Sequence, residues 1–217
     1  MRITAIRQTA PGRLTVAFED GTELKSTLSA VTDLRLYSGR DLDEAELAEL
    51  RLSSARSLAR EKALELLSRR PMSRQELKSK LIQKGQDEDT AEYCAAWLCD
   101  NGLLDDESYA AAVTRHYAAK GYGPGRIRGE LSRRGVDRVL WDEALDQMPD
   151  NSGKLDQFIA ARLKDPTDRD QVRKVTAALY RRGHSWEDIR AAMRRFDAEP
   201  EEEGRSFPFQ KIGETDK

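Results

Sequence analysis

Three segments of this chain end alike, in Leu81-Ile-Gln-Lys-Gly85, Leu131-Ser-Arg-Arg-Gly135 and Leu179-Tyr-Arg-Arg-Gly183. Each sets cations directly before a glycine: Lys84, then Arg133 and Arg134, then Arg181 and Arg182. Such residues can hold anions, either the carboxylates of an acidic protein surface or the phosphates of a nucleic acid. A cation at a helix C-terminus also offsets the helix macrodipole, an effect of ~0.3–1 kcal/mol. That accounts for one base per segment but not for paired arginines in two of the three.

A second candidate is Gly121-Tyr-Gly-Pro-Gly125, followed by Arg126 and Arg128. With Pro124 opening a helix, the free amides and the two arginines offer an anion cradle, or else the segment is a structural turn. It is not a nucleotide loop, because the Gly-x-x-x-x-Gly-Lys-Ser/Thr spacing is missing and no strand leads into it. Asp105, Asp106 and Glu107 invite a metal or acid–base reading, but acids at a helix start are ordinary caps and no histidine is spaced to join them. Cys94 and Cys99 are five positions apart on one expected helix, about 500° of rotation, so their sulfurs diverge and both are expected to be reduced packing residues. His116 and His184 lie in separate segments. No metal, cofactor or catalytic set is expected. Tyr109, Trp97, Trp141 and Trp186 fall on apolar stripes and read as core rather than as stacking platforms.

The elements that must position these residues are mostly helices. Residues 2 to 8, 13 to 18 and 23 to 28 alternate like strands, with Glu19-Asp20-Gly21-Thr22 as a turn, and a short helix carrying Val31 and Leu34 follows. This predicts a small β-containing N-terminal domain over residues 1–50, linked by a helical stretch from Asp43 to Leu50. Beyond it the glycine-ended segment recurs at intervals of 50 and 48 residues. Four residues before each leucine stands another aliphatic, Leu77, Ile127 or Val175, which puts each pair on one helix face. A helix precedes each segment (53 to 69, 106 to 120, 152 to 163) and another follows from about Asp87, Asp137 and Ser185. The fold class expected is therefore mainly α, three tandem three-helix repeats over 53–104, 105–150 and 151–196 forming an elongated, curved body. Residues 197–217 read as an acidic flexible tail, in which Phe207-Pro208-Phe209 is a candidate docking peptide.

Composition agrees with a thin body. Only 38% of residues are hydrophobic and 35% are charged, which argues against one deep core. The net charge of −2 conceals segregation: residues 53–84 carry nine bases against three acids, and residues 85–110 carry eight acids and no base. No apolar run approaches the ~20 residues of a bilayer span, and the N-terminus lacks the apolar centre of a secretion signal, so a cytoplasmic chain is expected.

Arg70-Pro-Met-Ser-Arg-Gln-Glu-Leu77, Leu81 with Lys84 and Gly85, Asn101 to Ala110, Gly121 to Ile127, Leu131 to Gly135 and Arg181 to Ser185 together resemble the RecX family, regulators of the RecA recombinase. The resemblance spans about residues 53 to 195. It implies a non-enzymatic protein, monomeric and without cofactors, that binds the groove of the RecA–DNA filament and suppresses its ATPase, strand-exchange and co-protease activities. Lys84, Arg126, Arg128, Arg133, Arg134, Arg181 and Arg182 are the candidate contacts to RecA or DNA. The alternative is a helical array that binds single- or double-stranded DNA directly, without RecA as an obligate partner.

Overall fold

The computed structural model describes residues 1–200. The acidic tail's Phe207-Pro208-Phe209 lies outside the described residues. The chain divides into two compact units, Met1–Asp105 and the residues from Asp106 onward, each described by itself. Among the described residues it is mainly helical, with one small N-terminal sheet.

The first unit opens with β1 (Ile3–Ala10), β2 (Arg13–Phe18) and β3 (Glu23–Thr27), an antiparallel sheet in sequence order. Strand alternation sends Ile3, Val16 and Phe18 to one face, where Val31, Leu42 and Leu50 meet them. A short helix α1 (Leu28–Asp33) starts at Thr27, whose hydroxyl accepts from the Ala30 amide. Then α2 runs without interruption from Glu44 to Arg69, begun by a capping box between Asp43 and Glu46. The expected link at 43–50 and helix at 53–69 are thus one rod. Nothing between Leu50 and Ser53 breaks a helix, and the two serines that follow serve the sheet: Ser54 and Ser57 hydrogen-bond Ser26 and Thr27 of β3 at 2.8 and 2.5 Å.

Pro71 prevents α2 from continuing, and Arg70 is already extended. Helix α3 (Arg74–Gln83) starts where the Glu76 amide donates to Ser73 Oγ at 3.1 Å, and α4 (Glu88–Asp100) is capped by Asp87. Ala59, Ala63, Leu66, Leu77, Leu81 and Leu98 form the shared core. Leu64, on α2, is 42% exposed.

The second unit holds two further helix triplets. Helices α5 (Asp106–Ala119), α6 (Pro124–Arg133) and α7 (Trp141–Asp146) enclose Tyr109, Val113, Ile127, Leu131 and Trp141. Helices α8 (Ser152–Arg162), α9 (Arg169–Arg181) and α10 (Trp186–Arg194) enclose Ile159, Val175, Leu179, Ile189 and Met193. The helix expected from Asp137 is shorter than its counterparts. A 3-10 turn, Arg138–Leu140, precedes α7 and leaves Val139 80% exposed. The aliphatic pairs Leu77/Leu81, Ile127/Leu131 and Val175/Leu179 are all buried, so each middle helix is anchored by the same one-turn spacing.

Candidate partner-binding surface

Each middle helix ends by the same local chemistry. Gly85, Gly135 and Gly183 adopt φ of 92, 69 and 84°, a region that side chains with a Cβ disfavour. The amide beyond each glycine, on Gln86, Val136 and His184, donates back to Leu81, Leu131 and Leu179 at 3.1, 3.1 and 3.3 Å. This closes the helix end and fixes where the preceding cations project.

From these equivalent positions the cations go to different places. Lys84 is exposed. Arg134 turns inward, donating to the Tyr109 hydroxyl at 2.8 Å and lying 3.9 Å from Glu130. Arg182 also turns inward: its Nη2 donates to the Lys120 carbonyl at 2.6 Å and its Nε to the Gly121 carbonyl at 3.2 Å. Its guanidinium also stacks over Tyr122 and Phe158, at 4.5 and 4.9 Å from the ring centroids. Arg133 and Arg181, one residue earlier, remain on the surface, Arg133 bound to Glu130.

Arg126, Arg133 and Arg134 converge on Glu130, which is 4% exposed. Burial acts to raise the Glu130 pKa. Hydrogen bonds from Arg133 and Tyr117, with the charges of Arg133 and Arg126, outweigh it and hold the carboxyl below its usual range. Glu130 lies three or four residues from each of these arginines, the spacing at which helix side chains meet. That spacing was the sequence signal for an internal hub, and reading the arginines alone missed it. Arg128 reaches toward Asp142 at 3.6 Å with both side chains largely solvated.

The Gly121-to-Gly125 segment is a docking turn. The Gly123 amide donates to the Arg182 carbonyl and the Gly125 amide to the Gly183 carbonyl, each at 2.9 Å. Those two amides of the proposed anion cradle are therefore occupied by backbone. His184, 5% exposed, joins through Nε2 to the Gly121 carbonyl at 3.1 Å. Since a carbonyl can only accept, Nε2 carries the proton. Burial pushes the His184 pKa down, partly opposed by that hydrogen bond.

Elsewhere the candidates take structural roles. Cys94 is fully buried, and burial pushes its thiol up to about 11, the behaviour of a packing residue. Tyr109 and Trp141 are core residues, while Trp97 is half-buried beneath Arg60. Among the described residues no group of three His, Cys, Asp or Glu side chains can hold a metal ion, and no helix is long and apolar enough to cross a membrane.

Comparison with known proteins matches both the helix triplets and the sequence. Two family models fit the chain: "RecX, first three-helix domain" over residues 59–98 and "RecX, second three-helix domain" over residues 105–145. The protein named regulatory protein RecX of Xanthomonas axonopodis pv. citri (strain 306) is 42% identical over 142 residues, 64% of this chain and 87% of its own length. The protein of that name from Halorhodospira halophila (strain DSM 244 / SL1) is 33% identical over 153 residues, 68% of this chain and 94% of its own. A crystal structure of a regulatory protein RecX superposes with a TM-score of 0.70 at 25% identity, covering 89% of this chain and 98% of that one. The crystal structure of RecX from Lactobacillus salivarius gives a TM-score of 0.59, also at 25% identity, over 66% of this chain and 97% of that one. With the helix triplets, the glycine-capped middle helices and these relatives in agreement, the chain belongs to the RecX family of regulatory proteins.

Proposed function

We propose that this protein regulates the RecA recombinase by binding the RecA–DNA filament along its groove and inhibiting ATPase, strand exchange and co-protease activity. The observation that carries this reading is the match of two consecutive three-helix sets to the family's own domains, in a chain at least 33% identical to proteins named as RecX regulators. Successive sets offer separate weak contacts, and contacts that act together gain avidity on a repeating filament. A chain lodged in the groove would obstruct incoming duplex and restrain the movements that accompany nucleotide turnover. Inhibition by occupancy requires no catalysis, cofactor or metal, and the proposal takes the protein to act as a monomer in the cytoplasm.

The test is RecA ATPase on single-stranded DNA with the full chain titrated in. Substoichiometric protein should lower the rate, and a rate unchanged at every ratio would refute the proposal. A second reading, direct DNA binding without RecA, is favoured by one specific feature: Arg181 is exposed and, among the described residues, forms no ion pair or hydrogen bond. It requires affinity for DNA alone that falls steeply with salt.

A further inference from the structure

The three middle helices carry basic faces that the fold neutralises to different extents. On α3, Arg74 is paired with Glu92, and Lys78 reaches Glu88 and Glu92 at 3.2 and 3.1 Å. On α6, Glu130 gathers three arginines, and Asp142 faces Arg128. On α9, Arg173 is engaged by Asp170 at 2.9 Å. Among the described residues, Lys174 and Arg181 form no ion pair or hydrogen bond. Part of the difference lies in the helix that follows, the rest in Glu130 on α6 itself. Helix α4 carries Glu88, Asp89, Glu92 and Asp100, and α7 carries Asp142, Glu143 and Asp146, neither with a single base. Helix α10 instead balances Glu187 and Asp188 with Arg190 and Arg194.

Lys174 and Arg181 are seven residues apart, close to two full turns, so they stand in line about 10.5 Å apart along α9. Val172, Val175 and Leu179 turn the opposite side of the helix into the core. Directly between the two cations lie Ala177 and Ala178, with the half-buried Tyr180 at the flank beside Arg173. The nature of the surface bears on its partner. Protein interfaces rely on aromatic or aliphatic anchors at their centre. Large exposed hydrophobics occur as far along the chain as Ile82, Leu103 and Val139, and among the described residues none occurs beyond Val139. Phosphate binding needs cations and no such anchor.

We propose that the solvent face of α9, through Lys174 and Arg181 with Arg173 beside them, is a contact for nucleic-acid phosphates, separate from the residues that meet the recombinase. This rests on the filament reading, because it gives a filament regulator its own hold on the filament's DNA.

The experiment uses the full chain and a fluorescently labelled duplex oligonucleotide without RecA, with anisotropy followed across a salt series. Wild type should bind, with log K falling linearly in log salt. The Lys174→Ala/Arg181→Ala double variant should bind more weakly, with a slope shallower by about 1.8 for two lost phosphate contacts. Lys78→Ala, which removes a cation already held by two acids, should leave affinity and slope unchanged. Matching circular dichroism and thermal midpoints for the double variant exclude misfolding as the cause. An unaltered slope in the double variant, or no DNA binding by wild type, overturns the inference. So does loss of RecA inhibition with DNA binding intact, which would make the face a contact for acidic protein. Failure of wild type to inhibit RecA would instead refute the proposed function and leave the salt-slope test standing.

Discussion

Gly123 and Gly183 meet backbone to backbone, so closely that a Cβ on Gly123 would lie 2.4 Å from the Gly183 carbonyl oxygen, and a Cβ on Gly183 would lie 2.1 Å from the Arg126 nitrogen. The turn before α6 is thereby seated on the turn after α9, sixty residues downstream, with two backbone hydrogen bonds across the contact. A glycine in the repeated helix ending consequently does two jobs in one copy and a single job in another.

Gly85 has the same positive φ, yet nothing lies within 4 Å of where its Cβ would be. Gly85→Ala should therefore cost only the left-handed strain, about 1–2 kcal/mol. Gly183→Ala adds an overpacking penalty of about 1–3 kcal/mol to the same strain. Urea unfolding of the two variants measures the difference, and equal losses would mean that the glycine contact does not persist in solution.

Arg181 and Arg182 are neighbours with opposite fates. Arg182→Ala removes two hydrogen bonds to carbonyls and the stacking on Tyr122 and Phe158, and should cost about 2–4 kcal/mol of stability. Arg182→Lys should recover little, because an ammonium has no planar fork to span two carbonyls and stack between rings. Arg181→Ala, on an exposed side chain, should stay within about 0.5 kcal/mol of wild type. Thermal unfolding of the three variants checks the order.

What the sequence showed and what it concealed both follow from distance along the chain. The glycine-ended helices and the buried pairs Leu77/Leu81, Ile127/Leu131 and Val175/Leu179 depend on spacings of four residues, so local pattern exposes them. The continuity of α2 through residues 50–53 was hidden by a domain boundary drawn where the strand-like pattern gives way to the helical repeats, although no breaker stands there. The fate of Arg182 was illegible for another reason: its acceptors Lys120 and Gly121 lie 62 and 61 positions away, and they are backbone carbonyls that no residue type advertises. The pairing of Arg74 and Lys78 with α4 is of intermediate range, and the alternation of basic and acidic blocks announced it only in outline.

Cys94 supplies a probe of the first unit. Fully buried, with its thiol pushed up to about 11, it should not react with a thiol-specific reagent at neutral pH while the core is closed. Cys99, half-buried on the same helix, should be modified first. Counting thiols released with and without denaturant tests this, and Cys94 labelling at the Cys99 rate in native buffer would contradict the packing.

Two buried titratable groups in the second unit give acid sensitivity in separate windows. His184 has its pKa held down by burial, so unfolding exposes a stronger base that takes up a proton. Its contribution is intact above the unfolded value of about 6.5 and declines as pH falls below it. Glu130 is also depressed, its burial outweighed by Arg133, Tyr117 and Arg126, so its contribution is intact above the unfolded value of about 4.3 and is lost only in more acidic solution. His184→Gln keeps an N–H for the Gly121 carbonyl but cannot titrate, and should flatten the stability curve between pH 7 and pH 5, about the histidine range. Glu130→Gln should leave that limb in place, flatten the region below about pH 4.3, and cost about 1–3 kcal/mol at neutral pH because three guanidiniums lose their shared carboxylate. Unfolding free energies across the pH series separate the two, and a His184→Gln profile parallel to wild type would show that the imidazole is solvated in the folded protein.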